Sequence, residues 1–293
     1  LVGVVDIVPE SRQWAEKKGV PAFQSLAELL KKKKPDVCIH TTASSMAVVV
    51  GQLKELIAAK IPVVSSTEEL FYPWDQNPKA ATELDALCKA NGVAMFGTGV
   101  NPGFVMDVLP AILTQAVHTV DFIRVERIVN ASSRRPPLQK KIGAGLDETA
   151  FRAQVEKGKI GHVGLRESLD YLASFMGAKL TKRGEAINPI ITPKSLATRV
   201  VTLKKGQVCG LHHQVWGEID RKRVIELDLK ITLNAEAPGD HITIQGNPPI
   251  TLSIEGGTPG DPATVAALIR GIPIVIQARP GIVRRLERDH FLD

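Results

Sequence analysis

The sequence predicts an α/β fold in which a Rossmann-like, doubly wound parallel sheet is followed by a second, α+β domain. Three observations predict it. Strand and helix patterns alternate over the first third of the chain, which is typical of parallel strands joined by right-handed crossovers. The apolar runs there are short and end at small polar residues, as buried strands do beside a ligand crevice. Over residues 197–254 strands instead follow one another across hairpin-like turns, which indicates an antiparallel or mixed sheet.

Capping residues set the predicted helix boundaries in the first domain. Pro9 opens the first helix and Gly19 closes it. Ser25 caps the second helix, with Glu28 three residues on as in a capping box, and Gly92 ends the fourth. The predicted strands are residues 2–5, 36–40, 61–65 and 93–97, and the helices are 9–18, 26–33, 46–60 and 78–90. Because the chain opens inside a strand without an initiator methionine, we expect the first βαβ unit to precede residue 1.

The pattern changes after a predicted helix over residues 104–115. A long strand over 121–129 leads into an irregular basic segment, residues 130–145, and helices follow at 147–157 and 165–176. Turn signals at 205–206, 220–221, 238–239 and 246–249 then separate several strands. We therefore place a first domain at 1–107 and a second at 108–260. A closing helix, residues 261–275, is expected to return to the first domain.

Bulk composition excludes several classes of protein. A chain of 293 residues accommodates two domains, and its net charge of +6 is dispersed, so we expect no nucleic-acid partner. No apolar run approaches the ~18 residues of a membrane helix and no signal peptide is visible, so we expect no membrane association. Cys38, Cys88 and Cys209 lie far apart without metal-ligand spacing. They predict neither a disulfide framework nor a metal site, and thus a reducing cytoplasm.

Strand ends in the first domain carry the candidates for cofactor binding. Asp6 ends an early strand, where an acidic residue holds the ribose hydroxyls of an adenine dinucleotide, although a plain polar strand end is the alternative. Arg12 would suit a 2′-phosphate or be a solvated arginine, and Thr41 and Thr42 would line the cofactor or cap the next helix. Because a carboxylate repels a 2′-phosphate, Asp6 favours NAD over NADP. The candidates are Asp6, Arg12, Thr41, Thr42, Ala43, Ser66, Asn101, Pro102 and Gly103.

Glu68 and Glu69 are the candidates for catalysis. They follow the strand at 61–65, and a carboxylate at such a strand end can hold an ammonium or exchange a proton with an amine. The alternative is that both acids simply favour the positive end of a helix dipole. The glycine-rich stretch at 97–103 follows the neighbouring strand and allows close approach to a ligand. Together these strand ends predict a site for a cofactor and a substrate.

The basic segment after the long strand supplies candidates for substrate binding. Arg134 and Arg135 suit a bidentate grip on a carboxylate, and Lys141 would join them, although a solvated loop is equally compatible with the pattern. His162 and the pair His212-His213 are isolated, and without HxxxH spacing they do not indicate a metal.

Several motifs in fixed order resemble one family. They are Ser66-Thr67-Glu68-Glu69-Leu70, Gly97-Thr98-Gly99-Val100-Asn101-Pro102-Gly103-Phe104, Lys141-Ile142-Gly143-Ala144-Gly145, Gly158-Lys159-Ile160-Gly161-His162-Val163-Gly164 and Gly256-Gly257-Thr258-Pro259-Gly260-Asp261. These stretches resemble the 2,4-diaminopentanoate dehydrogenases and the native amine dehydrogenases, which are relatives of dihydrodipicolinate reductase. The resemblance covers essentially the whole chain.

The resemblance implies reversible, NAD(P)-dependent oxidative deamination of a primary amine such as 2,4-diaminopentanoate, with an amino-ketone and ammonia on the other side of the reaction. It implies a substrate domain that also forms a homodimer contact. It places the catalytic glutamate at Glu68, with Glu69 as the alternative, and adds His162 and Thr258 to the substrate site.

Two other functions are compatible with the sequence. The first is reduction of a cyclic imine, although the His-His-x-x-Lys motif of dihydrodipicolinate reductases does not follow the strand at 121–129. The second is a regulatory or interaction protein that kept the fold without the chemistry.

Overall fold

The computed structural model describes residues 1–134 and 136–284, and it confirms the predicted α/β class. The described chain divides into two units. The first comprises Leu1–Gly97 and Leu268–Val283, and the second comprises Thr98–Ala267 with Arg284. The closing helix thus contributes its later turns to the first unit. The division after Gly97 precedes the expected one at residue 107, because residues 103–108 are hydrogen-bonded within the second unit.

The helices and strands are defined as follows. The strands are β1 Val4–Val5, β2 Ala22–Phe23, β3 Cys38–His40, β4 Val63–Ser65, β5 Ala94–Gly97, β6 Thr119–Asn130, β7 Lys182–Ile191, β8 Leu196–Ala197, β9 Thr202–Leu203, β10 Val208–Ile219, β11 Lys222–Thr232, β12 Gly239–Asn247, β13 Ile250–Glu255 and β14 Gly281–Ile282. The α-helices are α1 Pro9–Lys17, α2 Leu26–Leu30, α3 Met46–Ala58, α4 Pro73–Gln76, α5 Pro78–Asn91, α6 Val108–Leu113, α7 Pro136–Lys141, α8 Glu148–Glu156, α9 Leu165–Met176 and α10 Gly260–Gln277. Two 3₁₀ turns span Glu68–Leu70 and Thr114–Ala116.

Parallel strands form two sheets in the first unit. β3, β4, β5 and β14 pair in that order, and β1 and β2 form a separate parallel pair. Capping follows the sequence prediction, since Ser25 Oγ accepts a hydrogen bond from Glu28 N and Gly92 takes the left-handed conformation after α5. Glu28 itself accepts from Gln24 N, one residue before the cap.

Successive side chains of β4 and β5 point to opposite faces of the sheet and pack in two apolar cores of the first unit. Val63 and Met95 pack in the cluster that includes the buried residues of α3 and α5. Val64 and Phe96 point the other way and pack with α10. Gly271 of α10 allows this approach, because a Cβ there would lie 2.7 Å from Val64 Cγ1. Helices therefore cover both faces of the sheet, as a doubly wound fold requires.

A six-stranded mixed sheet dominates the second unit. Its order is β13-β12-β6-β11-β10-β7, and β6 and β11 run parallel while the other neighbours are antiparallel. The turn predicted at Asp220-Arg221 joins β10 to β11, and both residues have a positive φ. Helix α9 packs against β10 and β11, and α8 packs against β7.

Three local predictions need correction. The helix expected over 104–115 begins only at Val108, because Asp107 caps it. The segment 130–145 is not irregular throughout, since it contains α7. Gln139 of that helix is buried, and its amide nitrogen donates to the carbonyls of Ala131, Ser132 and Arg134 at 3.2, 3.3 and 3.1 Å. The closing helix continues to Gln277.

Within residues 1–134 and 136–284, no helix has the length and hydropathy needed to cross a membrane.

Candidate active site

Glu68 opens the 3₁₀ turn that follows β4 at its carboxyl end. The turn packs tightly on the end of β5, because a Cβ on Gly97 would lie 2.6 Å from the backbone carbon and oxygen of Leu70. Leu70 is fully buried in the apolar core and so anchors the turn. The strand order and the glycine together therefore fix the position of the turn that carries Glu68.

The two adjacent glutamates occupy different environments. Glu69 Oε2 accepts hydrogen bonds from Met46 N at 2.6 Å and from Ser45 Oγ at 3.1 Å. It thereby caps the N-terminus of α3, where the side chain of Ser45 does not cap its own helix. The dipole interpretation thus fits Glu69. Glu68 is half-buried on the same turn and is not part of this cap.

The small polar residues after β3 are part of a hydrogen-bonded network. Thr42 Oγ1 lies 3.0 Å from His40 Nε2 and 2.7 Å from Gln52 Oε1. The carbonyl of Ala43 accepts from Thr67 Oγ1 at 2.8 Å. The alternative interpretation, in which Thr41 and Thr42 cap α3, is wrong, because Glu69 accepts from the N-terminus of that helix instead. Thr41 is exposed and Ser66, directly after β4, is half-buried.

His40 joins the carboxyl ends of β3 and β4, and the sequence analysis missed it. The ring is buried, and its Nδ1 lies 2.9 Å from Ser65 Oγ while Nε2 lies 2.9 Å from Gln52 Oε1. Burial lowers the pKa of His40, so the imidazole is uncharged near neutral pH. A polar residue at the last position of a buried strand was the only available sequence signal.

Asp6 directly follows β1 and is half-buried. Its Oδ1 accepts from Val8 N at 2.8 Å, which orders the turn into α1. The Arg12 guanidinium donates to the Asp6 carbonyl at 2.7 Å and is therefore held beside the same turn. Both candidates for cofactor selection thus lie together at one strand end.

In the second unit, a buried carboxylate holds the loop Asn101-Pro102-Gly103. Asp107 is fully buried and accepts from Gly103 N at 3.0 Å, Val108 N at 2.6 Å and Ser168 Oγ at 2.7 Å. Gly103 has a φ of +123°, and a Cβ there would lie 2.3 Å from Gly99 N. The sequence analysis missed Asp107, although the preference of aspartate for N-cap positions was a usable signal.

The loop and His162 are brought together. His162 Nε2 lies 3.2 Å from the Asn101 carbonyl oxygen. Burial lowers the pKa of His162 to about 3, so the ring is neutral near pH 7 and its Nε2–H donates to that carbonyl. The Asn101 side chain is buried, and its Oδ1 accepts no hydrogen bond from the described part of the chain. A candidate for cofactor binding and a candidate for substrate binding are therefore in direct contact.

Positive charge surrounds His162, since Lys141 and Arg127 both help to lower its pKa. Arg127 is buried and pairs with Asp240 at 2.7 Å. The same guanidinium donates to the Thr258 carbonyl at 2.7 Å, and Asp240 Oδ2 accepts from Thr258 N at 2.6 Å. Thr258 is thus held through its backbone by this ion pair.

The basic residues predicted to grip a carboxylate differ in availability. Arg134 forms a salt bridge with Asp261 at 2.7 Å. Arg135 lies outside the described residues. Lys141 is exposed at the end of α7, and no acidic side chain of residues 1–134 or 136–284 pairs with it. Of the two candidates, only Arg134 has an acidic partner within residues 1–134 and 136–284.

Comparisons with known proteins show the family of the chain. Residues 104–288 match the model of the 2,4-diaminopentanoate dehydrogenase C-terminal domain. A 2,4-diaminopentanoate dehydrogenase of Acetoanaerobium sticklandii is 32% identical over 264 residues, which cover 88% of this chain and 75% of the relative.

Solved structures show the same fold. An amine dehydrogenase from Mycobacterium smegmatis superposes with a TM-score of 0.84 at 26% identity, covering 97% of this chain and 87% of that one. The WlbA dehydrogenase from Bordetella pertussis, in complex with NADH and UDP-GlcNAcA, shares the fold at 16% identity and a TM-score of 0.53, over 96% and 82% of the two chains. The family match and the curated relative confirm the resemblance: the chain belongs to the 2,4-diaminopentanoate dehydrogenase family.

Proposed function

We propose that this protein is a nicotinamide-dependent dehydrogenase that oxidatively deaminates a diamino acid such as 2,4-diaminopentanoate. The observation that carries the proposal is that two adjacent glutamates have different structural roles. Glu69 caps α3, whereas Glu68 presents a half-buried carboxylate at the carboxyl end of β4. Family membership supports the reaction type, because relatives carry the names of amine dehydrogenases.

Glu68 would bind the ammonium of the substrate and take a proton from it. Only the neutral amine can release hydride from its carbon, because the nitrogen lone pair must stabilise the iminium that forms. A bound nicotinamide supplies the hydride acceptor. Water then adds to the iminium and ammonia leaves, so that amine, oxidised cofactor and water give ketone, reduced cofactor, ammonia and a proton. A carboxylate at a strand end, close to a bound amine, can carry out this proton exchange.

The end of β1 fits the adenosine ribose of such a cofactor. Asp6 follows the strand directly, and of its two carboxylate oxygens only Oδ1 is hydrogen-bonded within the described residues, to Val8 N. The other carboxylate oxygen can accept from a ribose hydroxyl. The same charge would repel a 2′-phosphate, so we propose NAD as the preferred cofactor.

Lys141 would bind the substrate carboxylate. It lies close enough to His162 to lower the pKa of that ring, and it has no acidic partner in the described residues. Arg134, by contrast, is engaged by Asp261. An ammonium is a compact point charge that can pair with a carboxylate. The homodimer that the family resemblance implies also stays a proposal, which a measurement of solution mass tests.

The activity is tested with the purified protein, NAD or NADP, and 2,4-diaminopentanoate, by following the reduced nicotinamide and the ammonia released. Equal yields of the two products support oxidative deamination. Cofactor reduction without ammonia release, or no turnover while a cyclic imine is reduced, would contradict the proposal.

Replacing Lys141 by methionine should lower kcat/KM for 2,4-diaminopentanoate by about 10- to 100-fold, mainly through KM. That range corresponds to the loss of one hydrogen bond to a charged group. Inhibition by pentan-2-amine, which has no carboxylate, should be unchanged. Lys140→Met is the matched control, because it removes the same charge from the adjacent exposed residue of α7. Equal effects of the two variants would indicate general electrostatics and remove Lys141 from the site.

Replacing Asp6 by serine should shift the ratio of kcat/KM for NAD over NADP towards NADP by about tenfold or more. One like-charge clash disappears, while Arg12 stays beside the same turn. Glu10→Ala serves as the control, because Glu10 lies in the first turn of α1 but not at the strand end. A cofactor ratio that both variants leave unchanged would exclude Asp6 from the cofactor site.

A further inference from the structure

His162 lies in a segment that contains two glycines with positive φ. Gly161 and Gly164 flank it with φ of +144° and +107°. Glycine populates such conformations and many others at little steric cost, so the segment alone does not fix where the His162 ring lies. Contacts with the rest of the second unit must do so.

Two hydrogen bonds fix His162. Its ring donates to the Asn101 carbonyl, and its backbone N–H donates to His213 Nδ1 at 3.1 Å. His213 belongs to β10, is buried, and pairs across the sheet with Ile187 of β7 and Leu229 of β11. The second bond therefore joins a glycine-containing segment to a strand that is paired on both sides.

The ring of His213 is itself held in one orientation. Since Nδ1 accepts from His162 N, the proton must be on Nε2, which lies 2.9 Å from Glu185 Oε1 and donates to it. Glu185 is kept ionised, because its hydrogen bonds to His213 and Arg166 lower its pKa to about 2. Arg166, in the first turn of α9, pairs with the other oxygen of Glu185.

We infer that His213 is a positioning residue of the substrate site: it fixes His162 through the backbone N–H, and Glu185 with Arg166 holds His213 in the tautomer that can accept. The inference rests on the proposed function and on the substrate-binding role that the family resemblance implies for His162. It assigns His213 a function that isolated histidines in the sequence did not indicate. Nδ1 accepts from His162 N and Nε2 donates to Glu185, so each contact can be removed by a different substitution of His213.

His213→Asn and His213→Gln separate the two ring nitrogens. Asparagine places an acceptor near the position of Nδ1 and loses the contact with Glu185, whereas glutamine reaches Glu185 and loses the acceptor for His162 N. Hydrogen–deuterium exchange of the peptide covering residues 158–164 reports on the bond to His162 N without requiring activity. We expect at least about tenfold faster exchange of that amide in His213→Gln and little change in His213→Asn.

Kinetics then show whether the bond serves the site. His213→Gln should raise KM for 2,4-diaminopentanoate about tenfold while kcat changes little, and His213→Asn should keep KM within about threefold of the wild type. Unchanged exchange in His213→Gln would overturn the inference, as would faster exchange with an unchanged KM. A wild-type protein that deaminates no diamino acid would defeat the proposed function, while the exchange comparison would still decide whether His213 fixes His162.

Discussion

Replacing Glu68 by glutamine is expected to lower kcat for oxidative deamination by about 10²- to 10⁴-fold, the usual contribution of a positioned acid or base. Glutamine keeps the size of the side chain and its hydrogen-bonding capacity but can neither take a proton nor pair with an ammonium. Initial rates with saturating cofactor measure the effect. The cap of α3 stays intact in this variant, because Glu69 and not Glu68 accepts from Met46 N.

Glu69→Gln is the control for this prediction. The amide oxygen can still accept from Met46 N, so the variant loses only the charge at the N-terminus of α3. We expect a kcat near that of the wild type and a loss of about 0.3–1 kcal/mol in the free energy of unfolding. The reverse pattern, an inactive Glu69→Gln beside an active Glu68→Gln, would move the catalytic role to Glu69. Two active variants would refute amine dehydrogenation through this turn.

Replacing Asp107 by alanine is expected to reduce the free energy of unfolding by at least about 3 kcal/mol. The substitution leaves the backbone N–H groups of Gly103 and Val108 and the hydroxyl of Ser168 without their acceptor in a fully buried place. Each such group costs about 1–3 kcal/mol when unsatisfied. Urea unfolding measures the loss. KM for the cofactor should rise as well, because the loop 101–103 is released.

Asp147→Ala is the matched control, since Asp147 also caps a helix but is exposed and accepts only from Ala150 N at 2.7 Å. Loss of an exposed cap typically costs about 1 kcal/mol. Asp107→Asn should fall between the two, because an amide keeps one acceptor oxygen and the Ser168 hydroxyl can turn to accept from the nitrogen. If Asp107→Ala costs no more than Asp147→Ala, the carboxylate does not hold the loop.

Local patterns predicted much of the fold correctly. Alternating strands and helices indicated the parallel sheet, and the sheet indeed carries helices on both faces. Two helix caps and one hairpin turn were predicted from residue types whose preferences act over a few positions. They are the cap at Ser25 with Glu28, the cap at Gly92 and the turn at Asp220-Arg221. The prediction failed where a distant partner overrides the local preference. The helix expected from Phe104 begins at Val108, because Asp107 uses its carboxylate to hold Gly103 and Ser168.

The candidate site shows the same division. Motifs in fixed order indicated the family and brought Glu68, Glu69 and His162 to attention, which the comparisons support at the level of the family. They did not distinguish the two glutamates, since adjacent residues of one type have the same local pattern. The contact between Glu69 and Met46 spans 23 positions of the chain, and the one between His162 and His213 spans 51.

The sequence by itself thus determined the α/β class, most helix boundaries and the family of this protein, because periodicity, capping and ordered motifs are properties of neighbouring residues. Only the tertiary structure decided that Glu69 caps a helix and that Arg134, rather than Lys141, pairs with an acidic side chain of the described residues. It also decided that the backbone N–H of His162 donates to His213. A charge or a hydrogen-bonding atom is free or engaged according to what folding brings within about 3 Å of it. That proximity depends on the packing of whole elements, which no local pattern records.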